Sequence, residues 1–215
     1  MTGEIELCGR ITQIGGLAEK LVVMNALNSR MLTDGPQLRK FELEFAKYTG
    51  SKYAVGVSNG TAALHLALKS LGLKKGDEVI VPTGTIISCA QAITKLGATP
   101  VFVDLNYPEF VMDMSEVEEK ITKDTKAILV VHLYGNASNS KKARALSDAH
   151  GLYLIEDCAQ AIGLNCYDHI CGSYADVSTF SFYSNKLITT GEGGMVITNS
   201  KEVACLLYTS DAADE

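Results

Sequence analysis

The chain has 215 residues, 47% of them hydrophobic, and a formal net charge of −6 at neutral pH. That much apolar surface supports a buried core and excludes a disordered chain, and an acidic balance without a basic stripe gives no support to nucleic-acid binding. No apolar run reaches membrane-spanning length, the first residues lack the basic-then-apolar order of a signal peptide, and six cysteines set mostly in apolar segments fit the reducing cytoplasm.

The first fifty residues read as mainly helical, with 1–30 as an N-terminal helical segment and Phe41-Glu42-Leu43-Glu44-Phe45-Ala46 as the clearest stretch. From there, short apolar runs alternate with helical patterns. Tyr53–Val57 reads as a strand and Thr61–Leu71 as a helix. Val79–Val81 is a strand stopped by Pro82, and Ile86–Leu96 a helix closed by Gly97. Pro100–Asp104 is a strand ending on an acid, followed by a short helix over Ser115–Ile121. Ala127–His132 is a strand, Ser140–His150 a helix and Leu152–Ile155 a strand. Val177–Ser181 and Met195–Thr198 complete the series. Continuous apolar strands separated by helices predict an α/β domain of three layers, with a mostly parallel, mixed sheet covered on both faces.

In such sheets ligands bind beyond the carboxyl ends of the strands. Asn59, Thr85, His132, Asp157 and Ser181 all fall at or just past such ends, so they can converge on one crevice. Three kinds of group stand out among them. Gly60 and Thr61 open a helix, where free N–H groups and the helix dipole favour a phosphate. Asp157 closes an apolar strand, and Gln160 follows it closely. Lys186 ends the run Ser181-Phe182-Tyr183-Ser184-Asn185-Lys186, and glycines at 191, 193 and 194 allow close backbone approach. An amine nucleophile, a fixed carboxylate and a helix N-terminus are the parts needed to hold pyridoxal phosphate (PLP). Read singly, Asp157 is a strand-end cap, Thr61 or Asn59 an N-cap and Lys186 a surface lysine; their order is what points to a site.

Two segments carry other readings. Cys166-Tyr167-Asp168-His169-Ile170-Cys171 places two thiols and an imidazole together, but no second pair with zinc spacing occurs. A surface hairpin is expected there and no metal. The tail from Cys205 to Glu215 breaks the preceding rhythm and resembles translated sequencing adapter, so native sequence is expected to stop near Ala204.

Taken in order, these segments resemble the DegT/StrS family of PLP-dependent sugar aminotransferases, of the aspartate-aminotransferase fold type. The motifs are Asn59-Gly60-Thr61-Ala62-Ala63-Leu64, Gly76–Pro82, Gly97–Asp104, His132-Leu133-Tyr134-Gly135, Glu156-Asp157-Cys158-Ala159-Gln160 and Phe180–Lys186. The resemblance implies that 31–204 form an incomplete PLP-binding large domain, with the small C-terminal domain missing. It implies Lys186 as the Schiff-base lysine and Asp157 as partner of the pyridine nitrogen. Gln160 would contact the ring, and Gly60, Thr61 and Ser181 the phosphate. Many members carry an aromatic residue where this chain has Ile86, so the ring would pack on an aliphatic face. Histidine in place of the lysine marks a dehydratase branch, against which Lys186 argues. The motifs are most similar to perosamine-synthase-like members. These aminate GDP-4-keto-6-deoxymannose with glutamate as donor, for cell-surface polysaccharide, and full-length members act as homodimers. A catalytically silent PLP-binding regulator is the alternative. A lyase or desulfurase of the same fold ranks below it, because it needs a mobile cysteine and Cys158 sits inside the Asp157 motif.

Overall fold

The computed structural model describes residues 3–5, 11–13, 24, 25, 27, 28 and 35–211. The chain divides into two units, Met1–Phe41 and Glu42–Glu215. In the first, β1 (Gly3–Ile5) pairs antiparallel with β2 (Ile11–Gln13). This is a strand pair where the sequence led us to expect helix. β-branched Ile5, Ile11 and Thr12 favour extended backbone over helix.

A helix over Pro36–Thr49, α1, leads into the second unit, where Glu42, Phe45, Ala46 and Thr49 are buried at the i, i+3, i+4, i+7 spacing of one helical face. The elements then run β3 (Tyr53–Val57), α2 (Gly60–Ser70), β4 (Glu78–Pro82), α3 (Ile87–Lys95), β5 (Thr99–Val103), β6 (Leu105–Asn106), β7 (Val111–Met112), α4 (Met114–Glu119), β8 (Thr125–Val131), α5 (Ser140–His150), β9 (Tyr153–Asp157), β10 (Asn165–Cys166), β11 (His169–Ile170), β12 (Val177–Ser181), β13 (Gly194–Thr198) and α6 (Lys201–Asp211). The β6–β7 ladder was not foreseen; two residues per strand are too few to leave a periodic trace.

Seven strands form one sheet in the order β3-β13-β12-β9-β8-β4-β5. All neighbours are parallel except around β13, which runs antiparallel to both β12 and β3. The sheet is thus mostly parallel and mixed, as the alternation of elements predicts. Because β13 alone is reversed, β3, β4, β8, β9 and β12 all deliver their carboxyl ends to the same edge.

Successive strand residues face opposite sides. Val79, Val81, Leu129, Val131 and Ile155 pack with Leu64 and Leu68 of α2 and Cys89 and Ile93 of α3. Ile80, Ile128, Val130 and Leu154 pack on the other face with Val117 of α4 and Ala143 of α5. Helices therefore cover both faces. This parity decides the site: Asp157 shares the α2–α3 face with Ile155, and Glu156 takes the α5 face.

The α6 helix crosses Ala204 without a break. Leu207 is buried against Val55, Ala63, Leu66 and Val196, and the Tyr208 hydroxyl donates to Glu42 Oε2 at 3.2 Å. Part of the 205–215 segment therefore takes part in the core. At β10–β11 the structure has the expected hairpin, with Tyr167 in the left-handed region at φ 56°. Cys166 and Cys171 are buried, and Cys166 Sγ donates to Ser138 O. His169 is exposed and meets Tyr174 edge-on at 5.1 Å. The thiols thus serve packing.

Candidate active site

The shared carboxyl edge opens into a crevice of about 1050 Å3. Gly60, Thr61, Ile86, Asp157, Gln160, Ser181 and Lys186 all line it. Every site residue expected from the sequence is therefore brought to one place, across 126 positions of chain (60 to 186).

One end of the crevice is the start of α2. Asn59 caps the helix, its side-chain oxygen accepting from Ala62 N–H at 2.8 Å. That leaves the N–H groups of Gly60 and Thr61 without helical partners, as at any first turn. Thr61 and Ser88 hydroxyls lie 3.0 Å apart. Ser181, at the end of β12, faces this turn so closely that a Cβ on Gly60 would lie 2.8 Å from Ser181 Cβ. The same crowding occurs at Gly194, whose added Cβ would lie 2.5 Å from the Asn59 carbonyl oxygen. A small, donor-rich cradle results, suited to a phosphate dianion.

Asp157 forms the buried end and is only 3% exposed. Its Oδ1 accepts from Ala159 N–H at 2.9 Å, and its Oδ2 from the Cys89 thiol at 3.3 Å. Burial pushes the Asp157 carboxyl above its ordinary range; the Ala159 N–H, the Cys89 thiol and the fields of His132 and Lys186 pull it back only in part. A carboxylate in this state gains most from a cationic N–H partner, which offsets the desolvation that burial imposes.

Gln160 follows Asp157 in a hydrogen-bonded turn, in which Ala161 N–H reaches Cys158 O at 3.0 Å. Its side-chain oxygen accepts from Tyr134 N–H at 2.7 Å, which turns its amide donors toward other acceptors. Tyr134 itself has left-handed backbone (φ 53°). Ile86 immediately precedes α3 and is 52% exposed, an aliphatic face toward the crevice. Lys186 is half-buried; its segment is looped, with Lys186 N–H donating to Tyr183 O.

Behind the crevice His132 and Glu156 are fully buried and 3.1 Å apart. His132 Nδ1 accepts from Ser138 N–H, so Nε2 carries the hydrogen that Glu156 Oε1 accepts. Glu156 also accepts from Ser140 Oγ and from the N–H groups of Tyr174 and Ala175. Burial alone would raise Glu156, but the His132 and Ser140 hydrogen bonds hold it below its ordinary value.

Two groups escaped the sequence reading. Cys89 reads in sequence as a small buried hydrophobe, yet its thiol touches Asp157. Thr179 stands opposite Asp157 in the β9–β12 register and two residues before Ser181, hence on the same face. Its Oγ1 is buried in the crevice wall without a hydrogen-bond partner. The i−2 spacing from Ser181 was the available signal. The orphaned hydroxyl, the Gly60–Ser181 cradle and the buried carboxylate together fit PLP: a phosphate at one end and a ring nitrogen at the other.

The description of the DegT/DnrJ/EryC1/StrS aminotransferase family matches residues 15–210. A GDP-perosamine synthase of Escherichia coli O157:H7 is 49% identical over 184 residues, covering 85% of this chain and 50% of that protein. An aminotransferase of Psychrobacter cryohalolentis superposes with a TM-score of 0.85 at 39% identity, over 89% of this chain and 49% of that one. The E. coli GDP-4-keto-6-deoxy-D-mannose-3-dehydratase, solved with bound hydrated PLP, gives 0.85 at 32% identity, over 92% and 52%. The chain spans about half the length of the relatives it matches.

Proposed function

This chain belongs to the DegT/DnrJ/EryC1/StrS aminotransferase family, and from that premise we propose that it is the cofactor-binding part of a PLP-dependent sugar-nucleotide aminotransferase. The amino donor in this reading is glutamate and the acceptor a keto group of a nucleotide sugar, GDP-4-keto-6-deoxymannose in the perosamine type. The observation that carries it is the crevice that gathers Gly60, Asp157, Ser181 and Lys186. The 49% identity to a GDP-perosamine synthase supports the sugar. The whole protein works as a homodimer in this proposal.

PLP, when bound, supplies an electron sink and a carrier for the amino group between donor and acceptor. The chain's own residues do the rest. Gly60 and Thr61 N–H groups and the Ser181 and Thr61 hydroxyls bind the phosphate. Asp157 holds a proton on the ring nitrogen by charge pairing. Gln160, its oxygen tied to Tyr134 N–H, turns its amide donors to the ring hydroxyl, and Ile86 packs on the ring face. Lys186 Nζ would hold the cofactor covalently and, as a free amine, would carry the proton at the reacting carbon.

Lys186 separates this reading from the dehydratase branch and favours catalysis over a silent regulatory role. Cys158 is fully buried and its thiol is raised well above the ordinary range, mainly by that burial, so it is no mobile nucleophile for a desulfurase. The test, run on the whole protein of which this chain is the cofactor-binding part, is a screen of amine donors against nucleotide-linked keto-sugars, scored by amino-sugar formation. Glutamate-dependent amination of a GDP-linked keto-sugar is expected. PLP binding with no amine transfer to any nucleotide sugar would refute the proposal.

A further inference from the structure

Asp157 is held from two sides, and only one of them is backbone. Ala159 N–H takes Oδ1, while Oδ2 has the Cys89 thiol at 3.3 Å. Cys89 lies on the first turn of α3, three residues after Ile86, and its N–H donates to Ile86 O at 3.1 Å. The thiol is also 3.3 Å from the Thr85 hydroxyl. With S–H given to the carboxylate, the Thr85 O–H is the donor to sulfur. A short chain of hydrogen bonds thus runs from Thr85 through Cys89 to Asp157. The same turn that offers Ile86 to the crevice fixes the carboxylate beneath it.

We propose that Cys89 is a positioning residue: its thiol, pinned by Thr85, orients the Asp157 carboxylate toward the pyridine nitrogen of the bound cofactor. The inference rests on the PLP reading above. The chemistry of sulfur suits the task. A thiol is a weak donor, so it orients Oδ2 without drawing away the negative charge that must hold the ring proton. Cys89 is fully buried. Burial first, and the Asp157 charge next, push its thiol far above the ordinary range, so it stays protonated and a donor at every working pH. A thiolate there would repel the carboxylate; an alanine would leave Oδ2 without a partner. A serine would keep a donor, stronger but shorter in reach.

The test compares Cys89→Ala, Cys89→Ser and Thr85→Val with the wild-type protein in three readouts: PLP affinity by absorbance titration, the pH midpoint of the bound cofactor's absorbance, and the Asp157 carboxyl titration in cofactor-free protein by NMR. Cys89→Ala should weaken PLP binding about tenfold, the loss expected for one hydrogen bond to a charged group. It should shift the cofactor's pH midpoint and raise the Asp157 titration further. Cys89→Ser should restore affinity to within about threefold, and Thr85→Val should give a smaller loss of the same sign. Wild-type loading with all three readouts unchanged in Cys89→Ala overturns the positioning role alone. If Cys89→Ala does not fold, Thr85→Val decides, and no shift in its midpoint or affinity overturns the proposal. Failure of the wild-type protein to carry PLP on Lys186 overturns the underlying reading and this one together.

Discussion

A methyl group at Gly60 would lie 2.8 Å from the Cβ of Ser181 and 3.1 Å from its hydroxyl oxygen. The end of β12 and the start of α2 are therefore as close as two backbones carrying one side chain between them allow. Gly60→Ala should leave the fold intact, since alanine is the better helix former by about 1 kcal/mol. It must, however, displace Ser181 from the cradle. PLP affinity should fall at least about tenfold, the equivalent of 1.4 kcal/mol. A titration giving wild-type affinity would show that the cradle does not hold the phosphate.

Lys186 should be the residue that carries the cofactor. Borohydride reduction of the PLP-loaded protein, followed by peptide mapping, should place the pyridoxyl group on Lys186, and Lys186→Ala should lose both the label and transamination. A label on a different lysine would sink the assignment.

Asp157→Asn keeps the side chain's size but removes its charge. A hydrogen bond to a charged group contributes about 1.5–3 kcal/mol, so amine transfer should drop by about ten- to a hundredfold or more. Cofactor-free stability should move the other way. Because the folded carboxyl is raised, its contribution is present below the unfolded value of about 3.9 and lost as pH rises through the folded value. At neutral pH the asparagine variant without PLP should be at least as stable as wild type. Activity within a few-fold of wild type would reduce Asp157 to a structural cap.

Glu156 should behave in the opposite sense. Its folded value is lowered, so its contribution is present above the unfolded value of about 4.3 and lost as pH falls through the folded value. Glu156→Gln should cost about 1.5–3 kcal/mol at neutral pH and flatten the acid limb of a melting-temperature profile. An unchanged acid limb would mean that His132 and Ser140 do not stabilise the carboxylate.

Much of the architecture was legible because it is written in local pattern. The apolar runs at 53–57, 79–81 and 177–181, the small residues before the Thr61 helix and the glycine after His150 each constrain a few neighbouring dihedrals, and the structure carries strands and helices there. The strand-end positions of Asn59, Asp157 and Ser181 were legible for the same reason, and so was the expectation that they meet. The β1–β2 pair and the β6–β7 ladder were not, because so few residues per strand leave no period to read.

What the tertiary structure alone decided is relative placement. Nothing local says that β13 inserts antiparallel between β3 and β12, yet that reversal seats Gly60 against Ser181. Nothing local says which of Glu156 and Asp157 faces α3; strand parity and the packing of Ile155 settle it. Cys89 becomes a partner of Asp157, 68 residues away, only when α3 lies over β9. Sequence specifies periodicity and chemistry one residue at a time, whereas a site is a set of distances between residues remote in the chain. Those distances are set by how two covered faces and one shared edge pack together.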